Sequence, residues 1–218
     1  MADYLTKAFE QTDGANMRLL SQLRFLFELE KLKAELRQTL TYVDKDQTIF
    51  RQENVGEHSW HITVFALLLQ EYAAEPVDIK RTVEMMLFHD VIEIYAGDVD
   101  VFSTEDKGAI QTREKAAAEE LFAFLPADQQ HHYKALWEEF DEGKTPEARY
   151  ARAIDRVHPI LANFLSGGAG WHKRGITYEK SIATHEKRVT AGSPELWNAI
   201  KIALDYGRDN GFFPPEVK

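Results

Sequence analysis

The sequence predicts an all-α fold, and three features support this. Apolar residues recur at helical spacing along most of the chain, as in Leu19, Leu23, Leu26, Phe27 and Leu32. Helix-start signals repeat. Asp78 stands ahead of an apolar run, and Thr145-Pro146-Glu147 and Ser193-Pro194-Glu195 each supply a cap, a proline at the first helical position and a first-turn acid. Strand-like alternation is nearly absent. The 218 residues, 44% hydrophobic, suffice for one sizeable core. The expectation is a single domain over 1–218 with its helical core at about 16–210.

The elements follow in order. The leucine spacing predicts a helix over Asn16–Arg37. Thr41–Phe50 is polar and β-branched and reads as a connecting segment with room for a short extended piece. Glu57–Ala73 is a second helix with Val64, Leu67, Leu68 and Tyr72 facing inward. A third runs from Asp78 to about Tyr95, where Gly97 stops it. A fourth opens at Ser103 or Thr104 and reaches Leu125, and Pro126 suits the first turn of a fifth. The sixth starts at Thr145 and ends at Gly167-Gly168, before a Gly-bounded loop, 167–175. The last begins at Ser193 and ends near Asp209-Asn210-Gly211. Trp60, Trp137 and Trp197 are expected in the core.

Composition excludes several functions. The formal net charge of −10 disfavours a nucleic-acid polymer as partner, although a few local arginines could hold a small phosphate ester. Cysteine is absent, which removes disulfides, thiolate nucleophiles and Cys-ligated zinc. The aliphatic runs are too short to span a bilayer, and the first residues lack a basic segment followed by an apolar one. The expected location is therefore cytoplasmic.

The chemistry concentrates in MMLFHDVIEIYAGD, Met85–Asp98. On a continuous helix His89 and Glu93 would share a face, with Asp90 about 100° round from His89. Imidazole nitrogen and carboxylate oxygen are ordinary ligands for divalent metals. A lone His-Asp pair is also consistent with a charged histidine at a helix C-terminus. Two further blocks change the reading. His58 opens the second helix within ENVGEHSWH, and Asp155 lies among apolar neighbours within RYARAIDRVHP. An aspartate beside an apolar stripe is costly unless paired or metal-bound. His58, His89, Asp90 and Asp155 thus come from three helices, and two imidazoles plus two carboxylates balance one divalent cation. About two octahedral positions would remain for water or substrate.

These blocks, RQENVGEHSWH, MMLFHDVIEIYAGD and TPEARYARAIDRVHPILANFLSGG, resemble the HD-domain metal-dependent phosphohydrolase superfamily, with its ordered H…HD…D pattern on a helical bundle. The likeness is nearest to the bacterial 5′-deoxynucleotidase branch. It implies His58, His89, Asp90 and Asp155 as ligands of one divalent ion (Mn, Co, Fe, Ni, Zn or Mg), Glu93 and Asp98 as the catalytic acids, and a homodimer. The implied activity is hydrolysis of a phosphomonoester, a nucleoside 5′-monophosphate or a similar small phosphorylated substrate. Arg37 and Arg51 are the candidate phosphate contacts. The deoxynucleotidases carry an arginine followed by tryptophan here, whereas this chain has Arg37-Gln38-Thr39, which puts 2′-deoxy selectivity in doubt.

Other residues carry weaker expectations. His61 and His158 are expected to support or pack against the site, His131 and His132 to be solvated, and Glu57 to be a first-turn acid or a support for His58. Trp171-His172-Lys173-Arg174 could form a lid, contact substrate or be a plain exposed loop. Triphosphohydrolase and phosphodiesterase activities are alternatives, and the scarcity of Lys and Arg near the motifs argues against such longer anions. An HD-fold iron oxygenase would need extra ligands, which His61 or His158 could supply, and a binding-only protein is inconsistent with the complete set of ligands and acids.

Overall fold

A computed structural model describes residues 2–46 and 48–215. It is helical, as the sequence predicts, with one small addition. In chain order the elements are α1 (Ala2–Glu10), α2 (Met17–Leu29), a 3-10 turn (Glu30–Lys33), β1 (Leu36–Tyr42), β2 (Phe50–Asn54), α3 (Val55–Leu69), α4 (Ile79–Phe88), α5 (Glu93–Ala96), α6 (Lys107–Phe122), α7 (Ala127–Glu142), α8 (Pro146–Leu165), α9 (Ala169–Arg174), α10 (Tyr178–Gly192) and α11 (Pro194–Asp209).

The anticipated caps at Asp78, Thr145 and Ser193 accept hydrogen bonds from the first-turn amides of α4, α8 and α11. α6 starts later than expected, because Asp106 rather than Ser103 or Thr104 caps it. The first predicted helix stops at Leu29, and the chain then turns into an antiparallel hairpin that pairs Leu36 with Asn54 and Tyr42 with Phe50. Arg37 therefore sits on β1, not at a helix end. Its β-branched and aromatic content suits a pleated surface. At the end of β2, Asn54 and Glu57 form a reciprocal capping box that launches α3.

α8 runs through the centre. Its buried face includes Ala148, Tyr150, Ala151, Ile154, Asp155, Val157 and His158. It packs against α3, α4, α7, α10 and α11. Small residues let α10 come close. A Cβ at Gly192 would lie 2.2 Å from the Arg149 carbonyl oxygen, so only glycine fits there. A second core gathers Phe25, Val55, Val91, Ile92, Leu121, Phe122 and Trp137 between α2, α6 and α7.

The two cores explain the largest departure in the predicted third helix. Met85 and Met86 bury in the first core and Val91 and Ile92 in the second. The helix breaks at His89 so that both pairs are buried, and the turn 89–92 carries His89-Asp90 between the cores. Gly97, at φ +75°, ends α5. The loop 167–175 contains α9, whose Trp171 is buried and stacked on Phe213, so it is a packed element, not a free lid. Trp137 and Trp197 are buried, but Trp60 is 66% exposed, and Leu67 and Leu68 also face outward, contrary to expectation. The inner face of α3 is formed instead by Val55, His58, Ser59, Ile62, Thr63 and Ala66.

Candidate metal centre

Four side chains from α3, the turn after α4, and α8 converge. His58 lies in the first turns of α3, fully buried, and its Nε2 is 3.2 Å from Asp155 Oδ1 and 3.9 Å from Asp90 Oδ2. His89 Nε2 is 2.9 Å from Asp90 Oδ2 and 3.9 Å from Asp155 Oδ1. Ligands at about 2.0–2.2 Å from one ion, as found for N and O donors, stand roughly 3 Å apart at right angles, so these separations suit a shared cation.

The tautomer of His89 provides the test of fit. Its Nδ1 lies 2.8 Å from the Met86 carbonyl oxygen. A carbonyl only accepts, so Nδ1–H donates, and in the neutral form of the ring this leaves Nε2 as the lone pair. That Nε2 is buried without a hydrogen-bond partner and faces a carboxylate oxygen. Two acceptors so close require a positive charge between them, a proton or a metal ion. His58, His89, Asp90 and Asp155 are the residues that could hold the metal.

His58 uses its other nitrogen differently. Nδ1 is 3.3 Å from His158 Nδ1 and 3.5 Å from Glu53 Oε2, and His158 Nε2 is 3.0 Å from His61 Nδ1. Glu53, His58 and His158 also bring three possible ligand atoms together. A His58 that ligates through Nε2 keeps Nδ1 protonated as a donor, so this set orients the ring rather than forming a second centre. Burial first, then the charges of His58 and His61, keep the His158 imidazole neutral. Sequence reasoning did not single out Glu53, since nothing local distinguishes it from a strand-end acid.

Arg37 enters from β1, with its side chain 11% exposed. Nη1 donates to Asp90 Oδ2 at 2.6 Å and lies 3.6 Å from Asp98 Oδ1 and 3.9 Å from Glu93 Oε1. Burial opposes the Asp90 charge, but His89 and Arg37 outweigh it and hold the carboxyl at about 2. Burial, then the charge of Asp90, push the Glu93 carboxyl well up, and burial also raises Asp98. Glu93 opens α5 and Asp98 follows Gly97, so the helix break separates these acids from the His89 face while keeping them at the same cavity.

Arg51 is not part of this cluster. It lies exposed on β2, paired with Glu57 at 2.5 Å and 2.7 Å. Glu57 is occupied by that pair and by the capping box. His131 is exposed, and His132 lies 3.2 Å from Glu84.

Arg37, Glu93, Asp98 and three of the four candidate ligands line a cavity of about 220 Å³. Arg152, Arg156 and Arg188 line it too. The sequence gives no hint of this. Arg188 is distant in the chain and arrives only because α10 packs on α8. The scarcity of cations beside the motifs is therefore a property of the sequence and not of the site.

The fold and centre define a helical protein built around a two-histidine, two-aspartate candidate metal site. The family model of the HD domain matches residues 29–197, and the chain belongs to that family. It is 28% identical over 139 residues to the 5′-deoxynucleotidase HDDC2 of Bos taurus and 27% identical over 141 residues to that of Homo sapiens. These matches cover 64% and 65% of this chain, and just under two-thirds of each relative, 64% and 66%. A crystal structure of a predicted metal-dependent phosphohydrolase from Magnetospirillum magnetotacticum MS-1 superimposes with TM-score 0.83 at 41% identity, over 91% of this chain and 96% of that one.

Proposed function

We propose that this chain is a divalent-metal-dependent phosphomonoesterase acting on a nucleoside 5′-monophosphate or a similar small phosphate ester. The observation that carries the reading is the buried Nε2 of His89, which has no hydrogen-bond partner and faces Asp90 Oδ2 at 2.9 Å, at a cavity lined also by Asp155, Arg37, Glu93 and Asp98. The relatives named as 5′-deoxynucleotidases support it. One ion would be held by the four ligands, with Mn, Co, Fe, Ni, Zn and Mg as candidates. When bound, the cation supplies Lewis-acid stabilisation of phosphoryl oxygens and a more acidic water.

The protein's own groups do the rest. Arg37 presents a guanidinium to the phosphoryl oxygens and loosens its hold on Asp90 as they arrive. Glu93 Oε2 is buried without a hydrogen-bond partner, so it is free to accept a proton from the attacking water. Asp98 returns a proton to the leaving alkoxide. The ester P–O bond breaks as the new P–O bond forms, and the products are orthophosphate and an alcohol. The segment Arg37-Gln38-Thr39 departs from the arginine-tryptophan pair expected from the resemblance, so the reading assigns no preference at the 2′ position.

A cytoplasmic homodimer completes the proposal. Among the described residues no helix is long and apolar enough to cross a membrane. α3 exposes Trp60, Leu67 and Leu68, an apolar surface suited to a second copy. Phosphate release from ribo- and deoxyribonucleoside mono-, di- and triphosphates, on metal-stripped protein with single metals restored, tests the activity. Metal-dependent release from monophosphates is expected. Silence across the panel with metal bound would refute it.

A further inference from the structure

The three arginines of the cavity stand apart from the proposed chemistry. Arg152 and Arg156 lie one turn apart on α8, flanking the face that carries Asp155, and Arg188 reaches them from α10. The Arg188 guanidinium makes no hydrogen bond or ion pair among the described residues. Arg156 keeps a buried Nε without a hydrogen-bond partner, 3.6 Å from Asp155 Oδ2. Arg152 donates to the carbonyl oxygens of Phe140 and Asp141. Glu114 and Asp141 share the cavity wall, yet neither forms an ion pair with the three arginines among the described residues. Burial, then the charges of Arg156 and Arg152, pull the Arg188 guanidinium down to about 10. Guanidinium groups gathered against mutual repulsion, with the 3.6 Å contact of Arg156 to Asp155 as their one carboxylate pairing among the described residues, favour an anion.

The cavity also adjoins an open groove, and Arg152 and Arg188 line both. Lys107, Arg149 and Lys187 extend the groove, with Glu142 as its one carboxylate among the described residues. On a chain of net charge −10 this is a local reversal of sign.

We propose that Arg156 and Arg188 form a second anion subsite, and that the natural substrate carries a second phosphoryl group there while the scissile one lies against Arg37 and the candidate metal ligands. This rests on the metal-site reading and narrows its substrate to small phosphomonoesters that carry a second phosphoryl group elsewhere in the molecule. It reverses the sequence-based expectation against longer anions.

The test is equilibrium binding, independent of turnover. Titration calorimetry measures pyrophosphate and orthophosphate on metal-loaded wild-type protein and on Arg188→Gln, with thermal unfolding as a check on folding. Any preference for pyrophosphate that belongs to the metal alone persists in the variant. The subsite predicts that the ratio of the two affinities falls by at least fivefold in Arg188→Gln, since a charge-assisted fork contributes about tenfold or more. A smaller fall overturns the proposal. Should Arg188→Gln not fold, Arg156→Gln is read by the same criterion. A collapsed ratio together with silence in the phosphate-release panel would refute the phosphomonoesterase and leave the subsite standing. Turnover of monophosphates with an unchanged ratio would do the reverse.

Discussion

Arg37→Ala probes how the hairpin and the site depend on each other. The guanidinium is buried and lies within 3.9 Å of carboxylate oxygens of Asp90, Glu93, Asp98 and Glu53. Without bound metal it is the nearest compensating charge for these acids apart from protons and the histidines. Removing one partner of a buried ion pair costs about 3–5 kcal/mol, because the remaining charge is left uncompensated. For a chain of this size each kcal/mol moves Tm by about 2–4 °C, so the variant should melt roughly 6–20 °C lower in EDTA. A divalent ion at about 100 times its Kd returns about 2.7 kcal/mol to a protein that still binds it. The assay is thermal unfolding of wild type and Arg37→Ala, with EDTA and with Mn²⁺. The expected pattern is a large deficit in EDTA that narrows with metal. Equal melting temperatures in EDTA would refute the claim that Arg37 balances the buried acids.

Three further outcomes are expected. Glu93→Gln should keep metal affinity within about threefold and lower kcat by about 10²–10⁴, the usual contribution of a positioned acid or base, as measured by steady-state phosphate release; near-normal kcat would remove Glu93 from catalysis. Burial holds the His185 imidazole down to about 3 from its ordinary 6.5, so the unfolded chain binds this proton first as pH falls. Stability from this group is complete above pH 6.5 and declines below it, by about 2 kcal/mol at pH 5. His185→Leu should therefore flatten the fall in urea-unfolding free energy between pH 7 and 5, and parallel curves would contradict the assignment. Replacing the capping-box residue Asn54 with Ala should cost about 1 kcal/mol through α3, with a lower urea midpoint at unchanged m-value; an unchanged midpoint would mean that the cap is immaterial.

What could be read from the sequence was set by how local its cause is. The starts at Asp78, Thr145 and Ser193 were legible because a cap and its amides lie within one turn. The four candidate ligands were legible because their order along the chain is distinctive, although their meeting depends on the packing of α3, α4 and α8. The break at His89 was not, since it arises from two separate cores claiming Met85-Met86 and Val91-Ile92. Nor was the hairpin, whose strands carry too many polar residues to alternate cleanly. Periodicity on α2 and α3 identified apolar positions but not what covers them. Leu20 and Phe25 are buried while Leu26 and Leu68 are exposed. Arg51 was drawn outward by Glu57, and Arg188 was brought inward by a helix that no sequence signal assigned.

Metal content addresses the central claim most directly. Purified wild type and Asp155→Ala, both verified as folded by circular dichroism, are stripped, reloaded with Mn²⁺ and assayed for bound ion per chain by mass spectrometry. The proposed four-ligand centre predicts about one ion per wild-type chain and none retained by the variant, because Asp155 is the one candidate ligand from α8. An Asp155→Ala protein that holds its ion as tightly as wild type would contradict the centre as described.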